Sequence, residues 1–167
     1  MRAALVLTGQ VLAGLFVATA ASAAECRQDH AIYADRDGGY ELIFEPVGSD
    51  AAATNHHFKL KILASGLVLD GIVMPGDPAR SNGMIMHNCP EGDVTGEEIA
   101  ACTIWEGVIY ALDVAGDANL VPDQGAKAAQ SLLFSGFGPS LRYSTLWDQG
   151  KAKVVPQDVF RQKGCAA

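Results

Sequence analysis

Three side chains in this sequence have a type and a setting that could support acid–base chemistry: His87, Asp93 and Glu106. Glu106 lies in the run Ile104-Trp105-Glu106-Gly107-Val108-Ile109. On a strand it would share a face with Ile104, Val108 and Tyr110. A carboxylate held among apolar groups keeps its proton more readily and can serve as a general acid. His87 stands two residues before Cys89. With an acid such as Asp93 or Glu97 and one of His56 or His57, it could complete a metal site. Each has a plainer reading. Glu106 could face water or pair with Arg80, Lys127 or Arg142, and the histidines could be exposed or hydrogen-bonded.

Other patterns lack the spacing that their chemistry needs. His56 and His57 are adjacent at a strand start, so their rings should point to opposite sides and do not share one ion. There is no CxxC and no paired histidine spacing for zinc. Asp113, Asp117, Asn119 and Asp123 cluster in a loop, but not at the spacing of an EF-hand. Ser135, in Phe134-Ser135-Gly136-Phe137-Gly138, could border an oxyanion-binding turn, yet the G-x-S-x-G elbow is absent. Nucleotide-binding glycine motifs are also absent. No catalytic residue, metal ligand or cofactor is assigned; Glu106, His87 and Asp93 remain candidates.

The four cysteines, Cys26, Cys89, Cys102 and Cys165, are better explained as structure. An even number in an exported chain points to two disulfides, and four cysteines allow three pairings. The favoured pairing is Cys89 with Cys102, closing a short loop, and Cys26 with Cys165, tying the two ends of the mature chain. Export is expected from the start of the sequence. Arg2 precedes an apolar stretch, and small residues from Ala18 to Ala24 offer an A-x-A cleavage site. The apolar stretch is short for a membrane span and lacks a basic stop-transfer cluster. Glu25, directly before Cys26, does not fit a lipoprotein signal. Residues 1–24 are therefore read as a cleaved signal peptide and 25–167 as one domain, periplasmic or secreted, with no stable membrane insertion after cleavage. The net charge of −7 disfavours nucleic acid and anionic lipid.

The elements that must position these residues begin as strands. Residues 31–35 and 40–45 flank the Asp37-Gly38-Gly39 turn. Residues 57–64 and 67–74 form a hairpin across Ser65-Gly66, with Phe58, Leu60 and Ile62 inward and Lys59 and Lys61 outward. The return strand has apolar residues on both faces, which suggests that both are partly covered. Residues 84–87 form a short strand. Thr95-Gly96-Glu97-Glu98 fits a capping box at the start of a short helix. Residues 102–113 are read as a strand, with a single helix over 96–112 as the alternative. Helices are then expected over 125–134, 140–147 and 156–163, and an edge strand over 151–155.

The expected fold is α+β: a small antiparallel sheet, a meander, followed by several short helices and stapled by disulfides. The expected function is a non-enzymatic binding or interaction module acting on a protein or envelope component. A small metal-dependent or acid/base hydrolase of the cell envelope is the alternative.

Overall fold

A computed structural model describes residues 25–48, 54–76 and 79–166. The signal peptide expected over residues 1–24 lies outside this range. Among the described residues the chain forms nine strands, three short α-helices and one 3-10 turn. The strands are β1 (Ala31–Asp35), β2 (Tyr40–Glu45), β3 (His56–Ile62), β4 (Leu67–Gly76), β5 (Arg80–Met86), β6 (Thr103–Leu112), β7 (Ala118–Asn119), β8 (Ser131–Phe134) and β9 (Val159–Cys165). The helices are α1 (Gly96–Cys102), α2 (Phe137–Arg142) and α3 (Thr145–Asp148).

The sheet is a closed antiparallel barrel of eight strands, in the order β5-β4-β3-β2-β1-β9-β8-β6, with β6 returning to pair with β5. Two-residue β7 adds to β6 outside the ring, at Ala111 and Leu112. This overturns the α+β expectation. The meander is real, but it continues through the segments read as helices until it closes on itself. Residues 125–134 have helix-forming composition, yet their first half is held as a strap on the N-terminal segment: the Gln28 amide donates to the Ala126 carbonyl and the Ala128 amide to the Cys26 carbonyl. The remainder is β8, where Leu132 and Phe134 point inward and Leu133 outward. Residues 156–163 are not a helix either. Their second half enters β9, which pairs with both β1 and β8 and completes the ring. Residues 151–155 form no strand; they run beneath one barrel end, where the Tyr40 hydroxyl donates to the Val154 carbonyl. The single helix read over 140–147 is two, α2 and α3.

The Thr95 capping box forms: the Thr95 hydroxyl accepts from the Glu98 amide and the Glu98 carboxylate accepts from the Thr95 amide. Helix α1 stops at Cys102, and β6 follows directly as a strand. Helix α2 has an unusual start. Gly136 adopts a left-handed conformation at φ 73°, which suits glycine. The Asp158 carboxylate, from the far side of the chain, accepts from the Gly136 and Gly138 amides at 2.8 Å each.

Cys26 is bonded to Cys165 and Cys89 to Cys102, and no cysteine is free. No described helix is long and apolar enough to cross a membrane.

Alternation along the strands fills the barrel with rings. Phe44 stacks on Phe58, with centroids 5.3 Å apart, and Phe58 meets Phe134 edge-on. Phe134 in turn contacts Trp105 and Phe160, each at 5.3 Å. All are at most 2 % exposed. Such a fill requires glycine on the neighbouring strands. A Cβ on Gly71 would lie 2.1 Å from the Phe58 ring, and one on Gly83 would lie 2.4 Å from Ile109. Gly83 and Gly107 face each other across β5 and β6, leaving room for Trp105 and Ile109.

The two ends are closed differently. At one, Phe137 and Leu141 of α2 and Leu146 of α3 are fully buried beneath the barrel. At the other, the N-terminal turn and residues 121–128 form the plug, and it is polar. Gln28, Asp29 and His56 are all buried there. The Tyr33 hydroxyl donates to the Gln28 side-chain oxygen, and the Val121 amide to the Ser81 hydroxyl.

Candidate interaction surface

The barrel does not gather the candidate acid–base residues. Glu106 is exposed on the outer face of β6, directly across from Met84 of β5. His87 lies just past β5, its amide bonded to the Cys102 carbonyl. That places it level with the start of β6, about 10–13 Å along the strand from Glu106 at roughly 3.3 Å per residue. Asp93 is exposed within the Cys89–Cys102 loop. Burial and the nearby Lys151 hold the His87 imidazole below its usual pKa, and its Nε2 has no hydrogen-bond partner. Among the described residues no three His, Cys, Asp or Glu side chains are grouped to hold a metal ion.

The other sequence candidates also resolve. His56 points into the barrel and is 2 % exposed, while His57 points outward and meets the Thr54 hydroxyl. Burial lowers the His56 pKa, opposed by the charges of Asp123 and Asp29. In the glycine-rich turn at Ser135 the amides are largely taken up within the protein: Gly136 and Gly138 donate to Asp158, and Ser135 to the Val108 carbonyl. The Ser135 carbonyl accepts from the Trp105 indole. In the acidic loop, the Asp113 carboxylate accepts from the Ala115 and Asp117 amides, which makes it a turn-former.

The feature that sequence reasoning only brushed against is the barrel's exterior. On β2 and β3 the outward positions carry Glu41, Glu45, His57, Lys59 and Lys61, with Ile43 as the one apolar residue among them. On β4, β5, β6 and β8 most are apolar and partly exposed (Ile72, Met74, Met84, Met86, Ile104, Val108, Tyr110, Leu112 and Leu133), with Asp70, Arg80, Asn82, Glu106 and Ser131 set among them. Cross-strand register makes these one surface: Ile72 pairs with Met84 and Tyr110 with Leu133. Every methionine except Met1 lies on it. Methionine is flexible and polarisable, a residue suited to surfaces that adapt to a partner. The signal in the sequence was the two-sided apolar character of residues 67–74 and 103–112.

Two depressions flank this wall along β6. One, of about 390 Å³, lies between α1 and the barrel and is lined by Met84, Ile99, Thr103, Ile104, Glu106 and Ser140 among others. The second, of about 320 Å³, is lined by Leu112, Asp113, Leu120 and Ala129 among others, beside the short β7. Glu106 is the one charge on the outer face of β6, and it makes no ion pair among the described residues. Comparison with protein-family models, curated proteins and solved structures finds no match.

Proposed function

We propose that this chain is an exported binding module, locked by its two disulfides, that docks a protein or envelope component on the wall formed by β4, β5, β6 and β8. The apolar exterior of that wall carries the reading. These side chains are half-buried on the outside of an already packed barrel, with Ile104 also touching the core, and a contiguous apolar surface of this kind marks a contact site. The aromatic interior supports the same view, because it leaves recognition to the outside. The outward charges of Glu41, Lys59, Lys61 and Arg161 do not suit a lipid-facing band, which is apolar all round.

The export reading rests on the signal-like pattern of residues 1–24, and the disulfides fit an oxidising compartment. The exported chain is expected to begin at Glu25, which N-terminal mass spectrometry reads directly. Docking is tested by placing a photo-crosslinking amino acid at Val108, and separately at Lys59 on the charged wall, in cells that export the protein. A discrete adduct at position 108 and none at position 59 is the expected result. Equal labelling at both, or none at 108, removes the reading.

A further inference from the structure

Given that this wall is the docking surface, we infer that its partner is a cationic, amphipathic protein segment, which lays an apolar face along β6 and sets a Lys or Arg against Glu106. Three observations carry it. Glu106 stands among apolar residues of the wall, beside Met84, with no cation paired to it among the described residues. A purely apolar partner would strip water from that carboxylate and leave it buried without a counter-charge, which is strongly unfavourable. A partner that sets a cation there removes that cost most fully. The groove walls, Met84, Ile99 and Ile104, suit the aliphatic stem of a lysine or arginine, with Glu106 taking its charged head.

The surroundings have the same sign. Gly96 lines the groove, and the next two residues of α1 are the exposed Glu97 and Glu98. The whole chain carries −7. A second copy of this chain is disfavoured by the same charges, since a two-fold contact across this wall would bring one Glu106 towards the other. The eight residue steps from Ile104 to Leu112 span about 27 Å, enough for an extended segment of similar length to bridge both depressions.

The test uses the exported chain and three synthetic ten-residue peptides in which leucine alternates with lysine, glutamine or glutamate, titrated by calorimetry. The lysine peptide is expected to bind at least tenfold more tightly than the glutamine peptide, and the glutamate peptide least. Glu106→Gln should remove most of the lysine preference while leaving the glutamine peptide's affinity unchanged or improved. Met84→Lys should weaken both, and Lys61→Gln on the opposite wall neither. Thermal midpoints confirm that each variant is folded, and Glu106→Gln keeps the side chain's shape. If the glutamine peptide matches the lysine peptide and both are lost in Met84→Lys, the wall docks partners but the cationic preference is wrong. If the lysine peptide binds equally well to Glu106→Gln and Met84→Lys, its attraction is diffuse and the inference fails. Failure of all three peptides to bind also overturns it, whereas the crosslink at position 108 reports on docking separately. A dimer in sedimentation that Met84→Lys dissociates would reassign the wall to self-association.

Discussion

The outer faces of β2 and β3 and those of β5 and β6 belong to the same barrel, yet they are built for different surroundings. The first pair presents Glu41, Glu45, His57, Lys59 and Lys61, including a Lys59–Asp70 ion pair to β4. The second presents mainly Met84, Met86, Ile104, Val108 and Tyr110, with Arg80, Asn82 and Glu106 between them. Their inner faces do not differ in kind: Leu42, Phe44, Phe58 and Leu60 on one side, Ile85, Trp105 and Ile109 on the other, all fully buried. The hydrophobic term that holds the barrel together acts through the inner faces of both walls. Inside-outside alternation is thus nearly complete on one wall, where Ile43 is the exception, and is weakened on the other, where apolar outward residues outnumber Arg80, Asn82 and Glu106. That surplus apolar surface is what the functional reading uses.

The comparison can be broken from the inside first. Phe58→Ala behind the charged wall and Trp105→Ala behind the apolar wall should each cost about 3–5 kcal/mol in urea unfolding. A much smaller loss for Trp105→Ala would mean that the second wall is not packed like the first. Adding volume is the gentler version. Gly71→Ala drives a methyl into the Phe58 ring and Gly83→Ala one into Ile109. Each should destabilise by about 1–3 kcal/mol.

Acidity probes the adjacent pair His56 and His57, one inside the charged wall and one outside. Burial keeps the His56 pKa below its ordinary 6.5 in the folded state. Below 6.5 the unfolded chain binds the proton more readily than the folded one. The contribution is therefore complete above 6.5 and is lost as pH falls towards the folded value. Thermal midpoints between pH 7.5 and 5 should fall, and His56→Gln should flatten that slope. His87 is lowered by burial too and acts with the same sign, so His87→Gln is the control. A slope unchanged in His56→Gln would show that the inner histidine is already solvated. The smallest effects belong to the exteriors. Lys59→Gln should cost no more than about 1 kcal/mol. Met84→Gln and Val108→Thr should stay within about 0.5 kcal/mol while weakening binding. A large loss for Val108→Thr would make the apolar exterior part of the core after all.

Much of the first half of the barrel was legible in the sequence, because it depends on local patterns. Strand β1, strand β2, the β3–β4 hairpin, the α1 capping box and the strand character of 103–112 each show alternation, turn chemistry or a cap within a few residues. The second half was not, because its structure depends on distant partners. In β9 only Phe160 is buried, and the five residues after it are exposed, so it has no period to read. It is a strand because β1, more than 120 residues earlier, offers it an edge. In β8 the neighbours Leu132 and Leu133 look like one helical face, yet they point to opposite sides of a sheet. Barrel closure itself leaves no local mark. For the surface, residues 103–112 displayed their apolar character openly. That Ile104, Val108 and Tyr110 join Met84 and Ile72 on one wall requires the register.

The three methionines Met74, Met84 and Met86 offer the most direct measurement, since all lie on the apolar wall and their oxidation is read by mass spectrometry residue by residue. Brief peroxide oxidation of the purified protein, alone and saturated with the leucine–lysine peptide, should show Met84 and Met86 oxidised in the free protein and protected in the complex. Unchanged oxidation at both positions, with the peptide demonstrably bound, would place recognition elsewhere and contradict the account.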